Sequence, residues 1–154
     1  MHPTQRLYNA ERDTSVFYAR PLESPQETHR IVCHLRETPE WKARYSTQRK
    51  LGLIFTETPK EYDACFFFPT LIQWKQGWGG HIDMTPTGRT LGVLAHELSH
   101  FVIAERVLNG EDTGEPHGWQ FARTYLHMVW ILMGKSRAEE LAHAFVKHGV
   151  NWTN

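Results

Sequence analysis

Apolar residues recur at helical spacing in three successive segments of the C-terminal half of the chain. Residues 90–108 are apolar on nearly every side, which predicts a central, buried helix that ends at Gly110. Residues 116–133 predict a second helix, with a proline at its start and Gly134 just past its end. A Ser-Arg-Ala-Glu run then predicts a capping box and a third helix over residues 136–148.

The first half of the chain predicts shorter elements bounded by prolines. Ser24, followed by a proline at the first helical position and by Glu27, has the pattern of a capped helix start. The helix that begins here has an apolar face and must end before Pro39. A short helical turn follows over residues 39–45, and weak alternation over residues 14–20 predicts a short strand ahead of the first helix.

Three segments rich in β-forming residues lie between the two helical regions, at residues 51–56, 64–74 and 80–85. We interpret them as a small, mainly antiparallel sheet of about three strands, with the middle strand interrupted at Pro69. No repeat or linker divides the chain. We therefore predict a single α+β domain over residues 1–154, with an N-terminal helix, the sheet and then the C-terminal helices.

The composition is that of an ordinary globular protein, with 40% apolar and 22% charged residues. The 17 basic and 17 acidic residues balance, which argues against broad capture of nucleic acid or of an anionic membrane, because both need a clustered positive field. Cys33 and Cys65 have neither metal-binding nor disulfide spacing, and the polar N-terminus has no signal-peptide pattern. We expect a reduced, cytoplasmic protein without a membrane span.

The strongest chemical signal is the run His-Glu-Leu-Ser-His at residues 96–100. On a helix, His96 and His100 lie one turn apart on the same face, so both imidazoles can reach a single metal ion. Glu97 lies about 100° around the helix, where its carboxylate can address a metal-bound water without replacing a ligand. Zinc held by imidazoles keeps one position open and lowers the pKa of its water to about 7, and Glu97 can then act as general base.

A zinc site of this kind needs a third protein ligand. The extended motif that would place a histidine at position 106 is not present, because the chain has Arg106. The strongest candidate is His117, which follows Pro116 at the predicted start of the next helix and precedes a glycine that leaves room for a metal. The alternatives are Glu139 and Glu140, although acidic residues are favoured in the first turn of a helix for electrostatic reasons alone.

The sequence HELSH, followed by HGWQF at a helix start, resembles the SprT-like and Spartan-type zinc metalloproteases, which pair HExxH with a downstream His-Gly. Residues 80–86 are similar to the strand that precedes the active helix in that family, and residues 5–11 resemble small metallohydrolases of actinobacteria and their phages. The specific match covers about residues 80–125. The resemblance implies a minimal zincin-like fold and one zinc ion bound by His96, His100 and His117, with Glu97 as the base. Unlike larger members, the chain has no C-terminal cysteine zinc ribbon and no basic excess.

These signals together predict a zinc-dependent hydrolase, and most directly a metallopeptidase that acts on a protein or peptide substrate. We expect residues 80–85 to form an edge strand, whose free N–H and C=O groups would pair with an extended substrate; the alternative is a central strand that is paired on both sides. Two alternatives stay open. One is a non-catalytic interaction module of phage origin, in which zinc only connects two helices. The other is a small amidase with a non-peptide substrate. The intact Glu97 favours an enzyme, since a structural site has no use for a carboxylate beside the ion.

Overall fold

The computed structural model describes residues 1–45 and 47–153, and over these stretches the chain forms seven α-helices and three β-strands. The helices are α1 (Pro3–Arg12), α2 (Pro25–Glu37), α3 (Pro39–Arg44), α4 (Leu71–Lys75), α5 (Leu91–Leu108), α6 (Trp119–Met133) and α7 (Lys135–His148). The strands are β1 (Lys50–Phe55), β2 (Ala64–Phe67) and β3 (Trp78–Met84). This is the predicted α+β architecture. Among the described helices, none combines the length and the apolar character that a membrane crossing requires.

The three strands form one sheet in the order β1-β3-β2, so β3 is the central strand. It runs parallel to β1 and antiparallel to β2, and the sheet is therefore mixed rather than mainly antiparallel. The prediction that residues 80–85 form an edge strand is wrong. Burial explains the central position: Ile82 is fully buried, and on the other face Asp83 is also buried and accepts hydrogen bonds from the hydroxyls of Thr56 and Tyr62.

Residues 14–20 form turns instead of the predicted strand. Their backbone groups serve the start of α5: the Thr90 hydroxyl, which caps this helix, donates a hydrogen bond of 2.7 Å to the carbonyl of Phe17. The turn segment also packs closely on the first turn of α5. A Cβ at Gly92 would lie only 1.8 Å from the carbonyl oxygen of Val16, so only glycine fits at this position. The turn segment therefore fixes the position at which α5 begins.

Several helix boundaries follow the sequence closely, and others differ for local reasons. Helix α2 begins after Ser24, whose hydroxyl accepts a hydrogen bond from the Glu27 N–H at 3.0 Å, as the capping pattern predicts. Helix α7 begins earlier than predicted, because Gly134 ends α6 and is also the N-cap of α7. Ser136 then lies inside the first turn, and the predicted capping box does not form. β2 ends before Pro69, and part of the predicted middle strand is the short helix α4.

Helix α1 has no clear signal in the sequence. Leu7, Ala10 and Glu11 form its buried face. The helix packs against α7, and the Arg6 guanidinium donates a hydrogen bond of 3.2 Å to the carbonyl of Gly149 just beyond α7. Because one of the three buried residues is a carboxylate, the apolar pattern is too short to reveal the helix. Its placement brings the N-terminal segment against α5, where the candidate site lies.

Candidate metal centre

Three histidines from two parts of the chain meet at one point: His96 and His100 on α5, and His117 just ahead of α6. Their Nε2 atoms form a nearly equilateral triangle, with 3.2 Å from His96 to His100, 3.2 Å from His96 to His117 and 3.0 Å from His100 to His117. Imidazole nitrogens at about 2.0–2.1 Å from one tetrahedral zinc ion stand about 3.4 Å apart, so the triangle has nearly the required size. These three residues, the His triad, lie close enough to bind one metal ion.

One helix and one tight turn bring the triad together. His96 and His100 are one turn apart on α5, as their spacing predicts. His117 lies in the turn before α6 rather than in its first turn, with a φ of +59°, a left-handed conformation that few residues other than glycine adopt. A Cβ at Gly118 would lie 2.9 Å from the carbonyl oxygen of Glu115, so this glycine permits the turn that presents His117.

Helix α1 supplies partners for the outer nitrogens of two triad members. The Nδ1 of His96 donates to the Glu11 carboxylate at 2.6 Å, and the two side chains are only 6% and 2% exposed. The Nδ1 of His117 lies 3.3 Å from the hydroxyl of Thr4. A histidine whose Nδ1–H is held by a carboxylate has a fixed ring orientation and presents the lone pair of Nε2 to a metal. The Glu11 contact therefore prepares His96 to be a ligand.

The surroundings keep two of the triad imidazoles neutral. Burial, and next the charge of His96, hold the pKa of His100 well below its usual range. The same two causes lower the pKa of His117 to about 3. Burial alone would lower the pKa of His96 too, but the carboxylates of Glu11 and Glu97 outweigh it and raise that pKa. Since the neutral imidazole is the form that binds a metal, His100 and His117 are ready to do so at neutral pH.

Glu97 lies beside the triad, with a side chain that is almost fully buried. Burial raises the pKa of its carboxyl group; the charge of His96 opposes this, the Glu11 carboxylate adds to it, and the backbone N–H of Phe66 lowers it. A carboxyl group whose pKa lies above its usual range is suited to accept and return a proton near neutral pH. The position of Glu97 next to the triad is the one that its place in the motif predicts.

The triad and Glu97 form one wall of an open cleft of about 500 Å³, called the apolar cleft below because most of its other lining residues are apolar. A second depression of about 290 Å³, which we call the polar depression, lies on the other side of Glu97 and is lined in part by Lys60 and Asp63. Tyr8 and Ala64 border both depressions. A metal ion bound by the triad would thus be reached from a continuous surface that extends to either side of Glu97.

Tyr8 covers the triad on the side of α1. Its ring stacks on that of His96, with 5.9 Å between the centroids and 14° between the planes, and lies 5.3 Å from the ring of His117. Burial, and then the negative charges of Glu11 and Glu97, raise the pKa of Tyr8 to about 12. The phenol therefore keeps its proton at neutral pH. Tyr8 covers one face of His96, and Glu97 lines the cleft beside it.

The alternative third ligands lie away from the triad. Glu139 faces Lys135 at 3.6 Å on the surface of α7. Glu140 accepts hydrogen bonds of 2.6 Å from both the backbone N–H and the hydroxyl of Ser15, and these bonds lower its pKa. Among the described residues, the group of side chains that could hold a metal contains His117 and neither of these carboxylates.

Three residues of α1 that take part in the site were not singled out from the sequence: Thr4, Tyr8 and Glu11. The signal that could have identified Glu11 is its spacing. It lies four residues after Leu7 and next to Ala10, which places a carboxylate on the face that a helix would bury. A buried carboxylate needs a partner, and a metal-ligating histidine is one of the few side chains that provide it.

Comparison with models of known protein families, with curated proteins and with solved structures finds no match to this chain. The resemblance to SprT-like proteases therefore stays a prediction from the motif at residues 96–100 and from His117. What the chain can do chemically follows from the geometry of the triad, Glu97 and the two depressions beside them.

Proposed function

We propose that this protein is a zinc-dependent hydrolase, specifically a metallopeptidase that cleaves peptide bonds in extended or unfolded protein. One observation carries the proposal: the Nε2 atoms of the His triad converge on the wall of an open cleft into which Glu97, the neighbour of His96, also opens. A structural metal site is closed by four protein ligands, whereas a catalytic one has three and an accessible fourth position. Three ligands beside a cleft fit the catalytic type.

The donor set favours zinc over other common ions. Neutral imidazole nitrogens suit zinc, while calcium and magnesium prefer oxygen donors. The Glu11 carboxylate behind His96 is the outer partner that zinc-binding histidines commonly have. When bound, zinc acts as a Lewis acid that polarises a carbonyl group and lowers the pKa of water to about 7. The three histidines would hold the ion, and Tyr8 and Glu11 keep the ring of His96 in place.

Glu97 is proposed to move the proton during hydrolysis. Its carboxylate takes a proton from the attacking water and later returns it to the leaving amine, so one residue serves as base and then as acid. Burial, which raises the pKa of Glu97, makes the second of these roles possible near neutral pH. The charge of His96 and the backbone N–H of Phe66 oppose this shift and favour the carboxylate, which is the form that accepts a proton.

An extended peptide is the substrate that the free edge of β2 favours. The carbonyl of Asp63 accepts a hydrogen bond of 3.0 Å from the N–H of Thr85. Because bonded and non-bonded pairs alternate along antiparallel strands, the backbone groups of Ala64 and Phe66 point away from β3. The N–H of Phe66 is engaged by the Glu97 carboxylate, which leaves the carbonyl of Phe66 and both backbone groups of Ala64 for a substrate. These two residues also line the apolar cleft. A peptide paired with β2 would cross Glu97 and the triad, so the substrate-binding role predicted for residues 80–85 passes to β2.

The Glu97→Gln variant tests the proposal. We expect it to retain zinc, because the triad is untouched, and to lose hydrolysis of an unfolded protein such as casein by at least about 100-fold, the usual size of a general acid–base contribution. Zinc is measured by elemental analysis and cleavage by mass spectrometry of the products. Glu139→Gln, a change on the exposed surface of α7, is the control. Equal cleavage by Glu97→Gln and by the wild type would contradict the role of Glu97.

A further inference from the structure

The face of α5 that carries two of the triad histidines continues as an apolar wall. His96 and His100 are followed on the same face by Ile103 and Val107, at intervals of three or four residues. Ala104 lies beside them and also lines the apolar cleft. At 1.5 Å per residue, this wall extends roughly 10 Å along α5 from His100, which is about three residues of an extended peptide.

The facing wall of the apolar cleft is aromatic. Phe66 of β2 and Phe68, the residue that follows the end of β2, lie on this side. A third aromatic residue of the lining, Phe121 of α6, lies behind His100, with 4.4 Å between the ring centroids. Phe68 is 56% exposed and Val107, across the cleft, is 41% exposed. Large apolar side chains are exposed on both walls of one depression that begins at the triad, which is the usual character of a site for an apolar ligand group.

The charges around the apolar cleft limit what can occupy it. Within the described part of the chain, its lining contains no lysine or arginine, and its carboxylates are Glu97 beside the triad and Glu115 at the turn before His117. An anionic side chain that extends along the cleft away from the triad would meet Glu115 without a basic side chain to balance its charge. The polar depression on the other side of Glu97 is different, since Lys60, Glu61 and Asp63 line it.

We propose that the apolar cleft is a specificity pocket for one large apolar side chain, aromatic or leucine-like, of a peptide residue next to the scissile bond. This inference rests on the proposed peptidase function and names its preferred substrate class. The backbone of the peptide lies along the free edge of β2, and the side chain enters between Phe68 and Val107. The enzyme is therefore selective at one position, although backbone pairing alone would leave it indifferent to sequence.

Small hydroxamates test the pocket without requiring turnover, because the chelating group fixes their position at the zinc ion. Two series are titrated against the zinc-loaded protein by calorimetry: N-acetyl amino-acid hydroxamates, with the side chain on the acyl side, and malonyl-hydroxamate amides of amino acids, with it on the amine side. Each series carries the side chain of Phe, Leu, Ala, Asp or Lys. In one of the two series we expect Phe or Leu to bind at least about 10-fold more tightly than Ala, Asp and Lys.

Paired variants then locate the pocket. Phe68→Ser/Val107→Ser removes one apolar side chain from each wall and should reduce the Phe-over-Ala preference to less than about 3-fold. Leu71→Ser/Leu108→Ser removes exposed apolar residues that neighbour these two but do not line the apolar cleft, and should leave the preference unchanged. Equal loss in both double variants would overturn the inference.

The outcomes also separate this inference from the proposed function. A Phe or Leu preference in a protein that cleaves no peptide would support the pocket and contradict the peptidase. Peptide cleavage without any side-chain preference in either hydroxamate series would support the peptidase and overturn the pocket. Tighter binding of the Lys or Asp compounds would overturn it as well, since it would assign the cleft to a charged side chain.

Discussion

At the scale of single residues, the contact between Glu11 and His96 orients one of the three histidines of the candidate metal centre. Both side chains are nearly inaccessible to water, and a carboxylate in such a place is costly unless it is paired. The pair serves two purposes: His96 satisfies the carboxylate, and the carboxylate fixes which nitrogen of His96 carries the proton. The Nε2 atom of His96 is thereby left free for a metal, and it faces the Nε2 atoms of His100 and His117.

The Glu11→Gln variant tests this positioning role. The amide still accepts a hydrogen bond from Nδ1 but no longer carries a charge, so the fold should persist while zinc affinity falls by about 10-fold or more. Competition with a chromophoric chelator measures the affinity, and the absorption of the cobalt-substituted protein reports the ligand geometry. Glu61→Gln, a change of an exposed carboxylate in the polar depression, should alter neither quantity. Unchanged zinc affinity in Glu11→Gln would show that Glu11 only fills space.

The sequence predicts the residues of this site to the extent that local spacing determines them. His96 and His100 are one helical turn apart, and any helix over this segment places them together. His117 could be proposed from its His-Gly context, but its left-handed backbone conformation depends on the tight turn with Glu115 and could not be predicted. Glu11 is 85 positions from its partner, and only tertiary packing brings them together.

At the scale of secondary-structure elements, the free edge of β2 determines how a substrate would be held. Ala64 is the best residue at which to test it, because its N–H points away from β3 and its small side chain borders both depressions. Cys65, the next residue, belongs to a bonded pair with Asp83 of β3 by the same alternation. Neighbouring positions on one strand therefore direct their backbone groups oppositely, Ala64 away from β3 and Cys65 toward it.

Proline substitutions at these two positions should have opposite effects. Ala64→Pro removes a donor that only a substrate would use, so we expect normal folding and zinc content with a loss of about 3- to 10-fold in cleavage of long peptides, the value of one net hydrogen bond. Cys65→Pro removes a bond within the sheet and should lower thermal stability. Ala64→Val is the control: it enlarges the side chain but keeps the N–H, so it should retain peptide cleavage. Full cleavage by Ala64→Pro would show that β2 does not hold the substrate.

The elements themselves were predicted where apolar spacing or capping residues mark them, as in α2 and α5. The order of the strands could not be predicted, because it depends on which strand is buried on both faces, and polar residue types in a strand do not indicate such burial. Asp83 gives β3 a half-polar pattern, yet its carboxylate is satisfied inside the fold by Thr56 and Tyr62. A strand that is buried on both faces lies in the middle of a sheet, and the pairing on both sides of β3 leaves β2 as the edge beside the triad.

At the scale of the whole molecule, the candidate metal centre joins the N-terminal helix to α5 and to the turn before α6. The triad histidines come from α5 and from the turn before α6, and α1 contributes Thr4, Tyr8 and Glu11 to the same small volume. Helix α1 is otherwise held mainly by its packing on α7. A metal ion bound to the triad would therefore stabilise the native state and, in particular, the docking of α1. Binding to the native state alone adds about 4 kcal/mol to the free energy of unfolding when free ligand is 1,000 times its Kd.

Removal of zinc should thus lower the local stability of α1 more than that of helices away from the triad. On addition of a chelator we expect a lower thermal midpoint and faster hydrogen exchange of the α1 amides at Leu7 and Ala10, because two ligand rings lose their fixed positions beside this helix. Amides of α2 at Val32 and Leu35, which lie in the core but do not touch the triad, should change much less. Exchange is measured by mass spectrometry of peptides with and without chelator. The His100→Ala variant, which has lost one ligand, should show little response to the chelator. An equal change in α1 and α2 would mean that the metal stabilises the fold as a whole and that α1 has no special dependence on it.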